Sequence, residues 1–159
     1  MVRYLRAVAF RIGLKLLADG KSEKGRPGKN RSFERSLKNA LRGLLLTFAV
    51  ERNFRFECFI ALLALALGFA FDIDRLEWAV ILTNVFFVLS LEAKNTSTEM
   101  TVDLATAEFD YDAKSSKDAS SGAVLLAAFS SLVSGGLIFG PRLFDALLSL
   151  IRFISTREF

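Results

Sequence analysis

The chain has 159 residues, the size of one domain, and 52% of them are apolar, including 16 phenylalanines. It contains no histidine and a single cysteine, Cys58, which excludes His-based catalysis, His metal sites and an intrachain disulfide. The net charge of +4 is weak evidence for a nucleic-acid partner, because the lysines and arginines crowd one end beside apolar segments. That arrangement favours contact with anionic lipid head groups.

Two basic amphipathic helices are predicted ahead of the first long apolar stretch. The earlier one, at residues 2–17, is the less regular, and a polar linker with Gly and Pro follows it at residues 19–32. In the second helix, basic residues such as Lys38 and Arg42 lie away from an apolar face formed by Phe33, Leu37, Ala40, Leu44 and Phe48. We expect both helices to rest at a membrane surface.

Three apolar stretches follow and predict membrane spans at about residues 56–72, 76–92 and 119–140. Each uninterrupted stretch is shorter than the ~20 residues that cross a bilayer, so a soluble helical core is an alternative. With the N-terminus inside, 17 of the 21 lysines and arginines lie on the cytoplasmic side, as the positive-inside rule requires. After Pro141, residues 143–154 predict a separate apolar-rich helix on the outer face.

The second span continues into the sequence LEAKNTSTE, which carries its acids on one helical face. At 100° per residue, Glu92 and Glu99 differ by about 20°, and Asn95 and Asp103 lie within about 60° of Glu92, whereas Lys94 points away. Carboxylates lined up near a bilayer are costly, and a cation would relieve that cost. Oxygen ligands without His or Cys indicate Mg²⁺. The alternative is a solvated helix end with its carboxylates in water.

Two more polar clusters lie at the same predicted membrane face, one on each remaining span. The sequence ERNFRFE, at residues 51–57, precedes the first apolar stretch, and Lys117-Asp118 opens the third. A lysine at a helix N-terminus suits a phosphate, because free N–H groups add positive potential there. The simpler alternatives are a snorkelling lysine and arginines that serve only as membrane anchors.

The segments ERNFR, EAKNTSTEMTVD and KDASSGAV, in this order and spacing, resemble the bacterial diacylglycerol kinase / undecaprenol kinase family from about residue 33 to 141. The resemblance implies an all-α integral membrane protein, a three-helix protomer with an N-terminal surface helix. It also implies a homotrimer in the bacterial cytoplasmic membrane, with active sites shared between neighbours on the cytoplasmic side. The implied division is a basic extension at 1–30, a lipid kinase domain at 31–141 and a tail at 142–159.

By the same resemblance, the reaction is transfer of the ATP γ-phosphate to a lipid hydroxyl. Glu92 matches the general base, and Glu51 and Glu99 match the carboxylates that hold Mg²⁺ on ATP. The residues that match positions around the phosphates and the nucleotide are Asn95, Lys117, Asp118 and Glu108. Ser97-Thr98 and Lys94 stand where apolar residues are more usual in the family, which leaves the packing of this helix open.

The substrate and the class of protein each leave an alternative. The sequences ERNFR and IFGP favour the undecaprenol kinase branch, and diacylglycerol is the alternative substrate. From a different class, a non-catalytic small membrane oligomer would have no reason to keep Glu51, Glu92 and Glu99 together. We expect a lipid alcohol, ATP and the membrane as partners, and no nucleic acid.

Overall fold

The computed structural model describes residues 33–106 and 108–155, which are helical apart from short connections. In chain order the helices are α1 (Phe33–Val50), α2 (Arg52–Ala70), α3 (Arg75–Ala105) and α4 (Tyr111–Ser155). The all-α expectation is confirmed for this part of the chain. The predicted helix at residues 2–17 and the linker at 19–32 lie outside the described residues.

The described residues divide into two compact units, the first ending at Phe56 and the second beginning at Glu57. In the described part of the first unit, the end of α1 is tied to the first turn of α2. The Arg55 guanidinium donates hydrogen bonds from Nη1 to the carbonyl oxygens of Phe48, at 3.0 Å, and Ala49, at 3.1 Å. These carbonyls belong to the last turn of α1 and have no partner within that helix, so Arg55 caps it.

Three helices, α2, α3 and α4, are long and apolar enough to cross a membrane, as the sequence predicts. The 31 residues of α3 and the 45 of α4 are longer than the predicted spans. At 1.5 Å per residue, α3 is about 46 Å long and α4 about 68 Å, against a hydrocarbon thickness of about 30 Å. Both helices therefore continue beyond their apolar segments.

The prediction of a separate helix after Pro141 is wrong, because α4 runs through this residue to Ser155. A proline ring fixes φ at a helical value and removes one backbone hydrogen bond, which a helix tolerates when other contacts hold it. Here the next residue supplies such a contact. The Arg142 guanidinium donates to both carboxylate oxygens of Glu77 on α3, at 2.9 and 2.7 Å.

The connection from α2 to α3 is a tight turn that ends in a capping box. Asp72 has φ of 47°, a left-handed conformation that Asp adopts more readily than most residues. The Asp74 carboxylate accepts from the N–H groups of Leu76, at 2.7 Å, and Glu77, at 2.9 Å. In return Glu77 Oε2 accepts from the Asp74 N–H at 2.9 Å. This fixes where α3 begins.

A small apolar core lies at this end of the second unit, where α3 packs on α4. Its buried residues are Ile73, Ile81, Ile138 and Phe139, and the half-buried residues around them are Ala64, Leu67, Phe71, Trp78 and Val85. Gly68 lets the Trp78 ring approach α2 closely, since a Cβ on Gly68 would lie 2.7 Å from Trp78 Cη2. Close packing of this kind, rather than the hydrophobic effect, holds helices together in lipid.

Most of the other apolar side chains of α2 and α4 point outward. More than half of the surface is exposed for Phe56, Phe59, Leu62, Leu125, Phe129 and Leu132. This pattern is typical of helices whose outer surface meets lipid or another helix rather than water.

Candidate active site

The second half of α3 buries polar side chains on one face. Glu92 is 3% exposed, Asn95 9% and Thr96 4%, while Glu99, one turn further on, is half-buried. Lys94 is exposed, on the side the sequence predicts. We call Glu92, Asn95, Thr96 and Glu99 the polar face of α3. Burying polar groups in this way costs free energy unless each finds a partner.

Two hydrogen bonds organise this face. The Asn95 side-chain Nδ2 donates to Glu99 Oε1 at 2.9 Å, which fixes the carboxylate one turn away. The Thr96 hydroxyl donates to the backbone oxygen of Glu92 at 3.0 Å. The oxygen of the Asn95 side-chain amide, Oδ1, is buried and has no hydrogen-bond partner among the described residues. The face is therefore ordered, yet it retains one unsatisfied acceptor.

Glu57 is a further acid beside this face, and it is not among the site residues that were predicted from the sequence. It lies on α2, near enough to Glu92 for the two carboxylates to interact. Its Oε2 is also buried without a hydrogen-bond partner in the described part of the chain. The available signal was an acid one residue ahead of a long apolar run, a position that is costly without a function.

Lys117 and Asp118 lie in ion pairs on the α4 side. Lys117 Nζ pairs with Asp103 of α3, and Lys114 Nζ donates to Asp118 Oδ2 at 2.9 Å. Asp103 is exposed, beyond the buried part of the face that it was expected to share with Glu92. The Lys117–Asp103 pair joins the two helices just past the polar face and places a lysine there, whereas Lys114 and Asp118 are one turn apart on α4.

The expectation that Lys117 stands at a helix N-terminus is wrong. α4 begins at Tyr111, so Lys117 is in the helix interior, where backbone N–H groups are already bonded. The Asp110 carboxylate accepts from the N–H of Ala113 at 2.8 Å and supports this earlier start. Any phosphate binding by Lys117 must therefore rely on its ammonium group.

Glu108 and Glu51 lie in connections between helices. Glu108 is exposed between α3 and α4, where its N–H donates to the Thr106 hydroxyl at 3.2 Å. Glu51 is half-buried between α1 and α2, and its N–H donates to the backbone oxygen of Thr47 at 2.8 Å. Glu51 belongs to the first unit, while the other predicted site residues belong to the second.

The unusual Ser97-Thr98 pair leaves α3 intact. Ser97 is exposed and Thr98 is half-buried. The Thr98 hydroxyl donates to the backbone oxygen of Lys94 at 3.0 Å. A threonine that bonds back to the preceding turn satisfies its own hydroxyl. These polar residues therefore fit the helix without altering the buried face.

The donor chemistry suits a hard cation that arrives with phosphate. In residues 33–106 and 108–155, no three His, Cys, Asp or Glu side chains are grouped closely enough to hold a metal by themselves. Mg²⁺ bound to a nucleotide needs only one or two protein carboxylates, because the phosphates supply the remaining oxygens. The Glu99 carboxylate and the unsatisfied Asn95 Oδ1 are ligands of this type.

Comparison with known proteins covers the same part of the chain. The sequence profile described as "Prokaryotic diacylglycerol kinase" matches residues 38–139. The chain is 40% identical over 111 residues to the undecaprenol kinase of Bacillus subtilis (strain 168), covering 70% of this chain and 90% of that protein. It is 32% identical over 113 residues to the diacylglycerol kinase of Synechocystis, covering 70% of this chain and 65% of that protein.

A third relative is the diacylglycerol kinase of Haemophilus influenzae, 32% identical over 105 residues, with 65% of this chain and 89% of that protein covered. The matched region contains α2 and α3, most of α1 and the larger part of α4, and with them the polar face and Lys117. The profile match and the 40% identity agree with the structure, in which the buried Glu92 lies on a helix apolar enough to span a membrane. This chain belongs to the prokaryotic diacylglycerol kinase family and is a lipid kinase.

Proposed function

We propose that this lipid kinase transfers the γ-phosphate of ATP to the hydroxyl of undecaprenol. The observation that carries the proposal is Glu92, a carboxylate only 3% exposed on a helix apolar enough to cross a membrane. Such a group is costly to keep, so its place indicates function. A lipid hydroxyl lies at the same depth, where the apolar part of a span ends.

Glu92 acts as the general base in this proposal. Its carboxylate accepts the hydroxyl proton as the lipid oxygen bonds to the γ-phosphorus and the bond from that phosphorus to the ADP oxygen breaks. Phosphoryl transfer depends mainly on positioning and on stabilising charge, so one placed base is sufficient acid–base chemistry. Burial of Glu92 also keeps water from competing with the lipid hydroxyl.

Glu99 and Glu51 are the proposed magnesium ligands, and we add to them the buried Asn95 Oδ1, although the resemblance places Asn95 near the phosphates. Asn95 Nδ2 donates to only one oxygen of Glu99, Oε1. This bond orients the carboxylate, and the second oxygen is left to bind the cation. The Asn95 Oδ1 atom would find in the cation the partner it lacks in the described residues. Mg²⁺ bound there supplies charge neutralisation on the phosphates.

Lys117, Asp118 and Glu108 are proposed to contact the phosphates and the nucleotide. The Lys117 ion pair is partly exposed, with side-chain exposures of 34% for Lys117 and 67% for Asp103. Exposed pairs of this kind contribute little to stability, so a phosphate can compete for the lysine. The implied homotrimer, the surface position of α1 and the cytoplasmic orientation in the bacterial inner membrane belong to the same proposal.

Undecaprenol is preferred as substrate because the relative at 40% identity over 90% of its length is named undecaprenol kinase. Diacylglycerol is the second candidate, favoured by the names of the relatives at 32% identity. Both lipids offer one hydroxyl at the interface and an apolar tail, so the polar face fits either.

The test is a competition in mixed micelles. Purified protein receives γ-labelled ATP and Mg²⁺ with undecaprenol and diacylglycerol at equal concentrations, and the labelled products are separated. We expect the label mainly in undecaprenyl phosphate and none with Glu92→Gln. Label mainly in phosphatidic acid would favour the second candidate. Failure of folded protein to label either lipid would contradict the proposal.

A further inference from the structure

The last part of α4, residues 142–155, lies beyond the matched family region, which ends at residue 139. We call residues 142–155 the C-terminal segment. It carries eight large apolar side chains that are at least a third exposed: Leu143, Phe144, Leu147, Leu148, Leu150, Ile151, Phe153 and Ile154. An apolar surface of this size on a segment of 14 residues requires a partner.

Four of the five polar residues of the C-terminal segment form a narrow stripe. At 100° per residue, Arg142, Asp145, Ser149 and Arg152 fall within an arc of about 80°, whereas Ser155, at the end of the segment, lies outside it. The Ser149 hydroxyl donates to the backbone oxygen of Asp145 at 2.9 Å. Large apolar side chains occupy most of the remaining circumference, so the segment is amphipathic, with an apolar face much wider than its polar one.

Charged groups mark where the hydrocarbon ends. Glu77 and Arg142 form a bidentate pair, and the Asp74 capping box lies beside it. These ions belong at the level of the head groups, because charge inside hydrocarbon is costly. The C-terminal segment begins at this level. If it continued straight along the bilayer normal, it would extend about 20 Å and expose its apolar side chains to water.

We propose that the C-terminal segment lies in the lipid interface on the side of the Glu77–Arg142 pair, with its apolar face against the acyl chains. Lipid is the occupant because the apolar surface continues that of the membrane-crossing part of α4, where Leu132 is 72% and Leu137 74% exposed. The charged side chains of the polar stripe would then face the head groups.

Pro141 lies at the start of the segment, and α4 is continuous through it. A proline removes the hydrogen bond to the carbonyl four residues earlier, so this is the point where the helix bends most easily when the segment meets the interface. The Glu77–Arg142 pair holds the residue directly after it and fixes the start of the segment. An interfacial helix at this place sets the depth of α4 in the bilayer. This proposal does not depend on which lipid is phosphorylated.

Spin labels test the proposal in the full-length protein, reconstituted in phosphatidylcholine–phosphatidylglycerol vesicles. Single cysteines are placed in a Cys58→Ala background at Leu147, Ile151 and Ile154 on the apolar face, and at Asp145 and Ser149 on the stripe. Collision rates are measured with oxygen, which concentrates in hydrocarbon, and with a water-soluble nickel chelate. A label at Leu132, within the candidate span, provides the hydrocarbon reference.

We expect the ratio of oxygen to nickel collisions to follow a helical period, high at the three apolar positions and low at the two polar ones. The apolar labels should report a depth shallower than Leu132. Nickel access at every position would show a segment in water, and low access to both reagents at the apolar positions would show a protein partner such as a second copy. High oxygen access without periodicity would show a segment inside the hydrocarbon. Each of these three results overturns the proposal.

Discussion

The two ends of the α3–α4 pair differ in whether their polar side chains find hydrogen-bond partners within the chain. At one end, both carboxylate oxygens of Glu77 accept from Arg142, and one also accepts from the Asp74 N–H. At the other end, Asn95 Oδ1 and Glu57 Oε2 are buried without hydrogen-bond partners among the described residues. At the first end, other residues of the chain supply the partners of the Glu77 carboxylate. At the second end, the chain holds acceptors in place without satisfying them.

This difference separates structural from functional use of charge. A buried, unsatisfied polar atom costs about 1–3 kcal/mol, which a fold keeps only where something else benefits. At the polar face of α3, we propose that the benefit is a partner supplied by the bound substrates. At the Glu77 end the charges join two helices, and no ligand is needed. Substitutions at the two ends should therefore change different measurements.

The largest effect is expected for Glu92→Gln, which keeps the side-chain shape and removes the base. Turnover should fall at least about 100-fold, because general base catalysis contributes about 10²–10⁴. The matched control is Glu77→Gln on the same helix, which should lower the unfolding temperature while turnover of the folded protein remains. Turnover of Glu92→Gln within about tenfold of the unchanged protein would exclude the base role.

The next effect concerns Glu51 and Glu99, which we expect to share one Mg²⁺. Alanine at either position should raise the Mg²⁺ concentration for half-maximal turnover by about tenfold or more. Because residues that act as a unit are not additive, the double variant should lose little beyond either single one. Titrations of turnover against Mg²⁺ for all three variants decide this. Independent, additive losses would argue for two separate roles.

A smaller loss is expected for Glu57→Gln, which sharpens the comparison because no role was predicted for Glu57 from the sequence. Its charge repels that of Glu92, and its Oε2 lacks a partner in the described residues. A hydrogen bond from a bound substrate group to this oxygen would contribute about 1.5–3 kcal/mol, so its loss should lower turnover about tenfold or more. The unfolding temperature should rise, because the substitution removes a repulsive charge. Unchanged turnover with raised stability would make Glu57 a bystander.

Packing at the Glu77 end predicts a loss of stability for Gly68→Ala. The added Cβ would meet Trp78 at 2.7 and 2.9 Å, so the ring or α2 must shift, at a cost of about 1–3 kcal/mol. The matched control is Gly136→Ala on α4, where a Cβ meets nothing within 4 Å. Thermal unfolding in detergent compares the two. Equal unfolding temperatures would show that the Trp78 contact does not constrain α2.

The sequence predicted the features that local geometry determines. Helical periodicity alone placed Glu92, Asn95 and Glu99 on one side of α3, and the structure joins Asn95 to Glu99 by a hydrogen bond. The number of candidate spans followed from the apolar runs in the same way. Family resemblance added roles for these residues, which remain predictions.

The features that the sequence missed depend on contacts between distant parts of the chain. The course of α4 through Pro141 accompanies the pairing of Arg142 with Glu77, 65 residues earlier. The early start of α4 moved Lys117 into a helix interior, where it meets Asp103. Proximity of Glu57 to Glu92 likewise depends on how two helices pack, which no local pattern encodes.

The smallest effect is expected from removing residues 1–30, which precede the matched region and contain eight lysines and arginines. In detergent micelles, a chain that starts near Arg31 should keep most of its turnover, because the polar face of α3 remains whole. In bilayers its activity should depend less on anionic lipid, since each basic residue near such a surface contributes about 1 kcal/mol of attraction. The measurement is turnover against phosphatidylglycerol content for both lengths of chain. Loss of turnover in micelles as well, with the oligomer intact, would assign residues 1–30 to the catalytic unit rather than to an anchor.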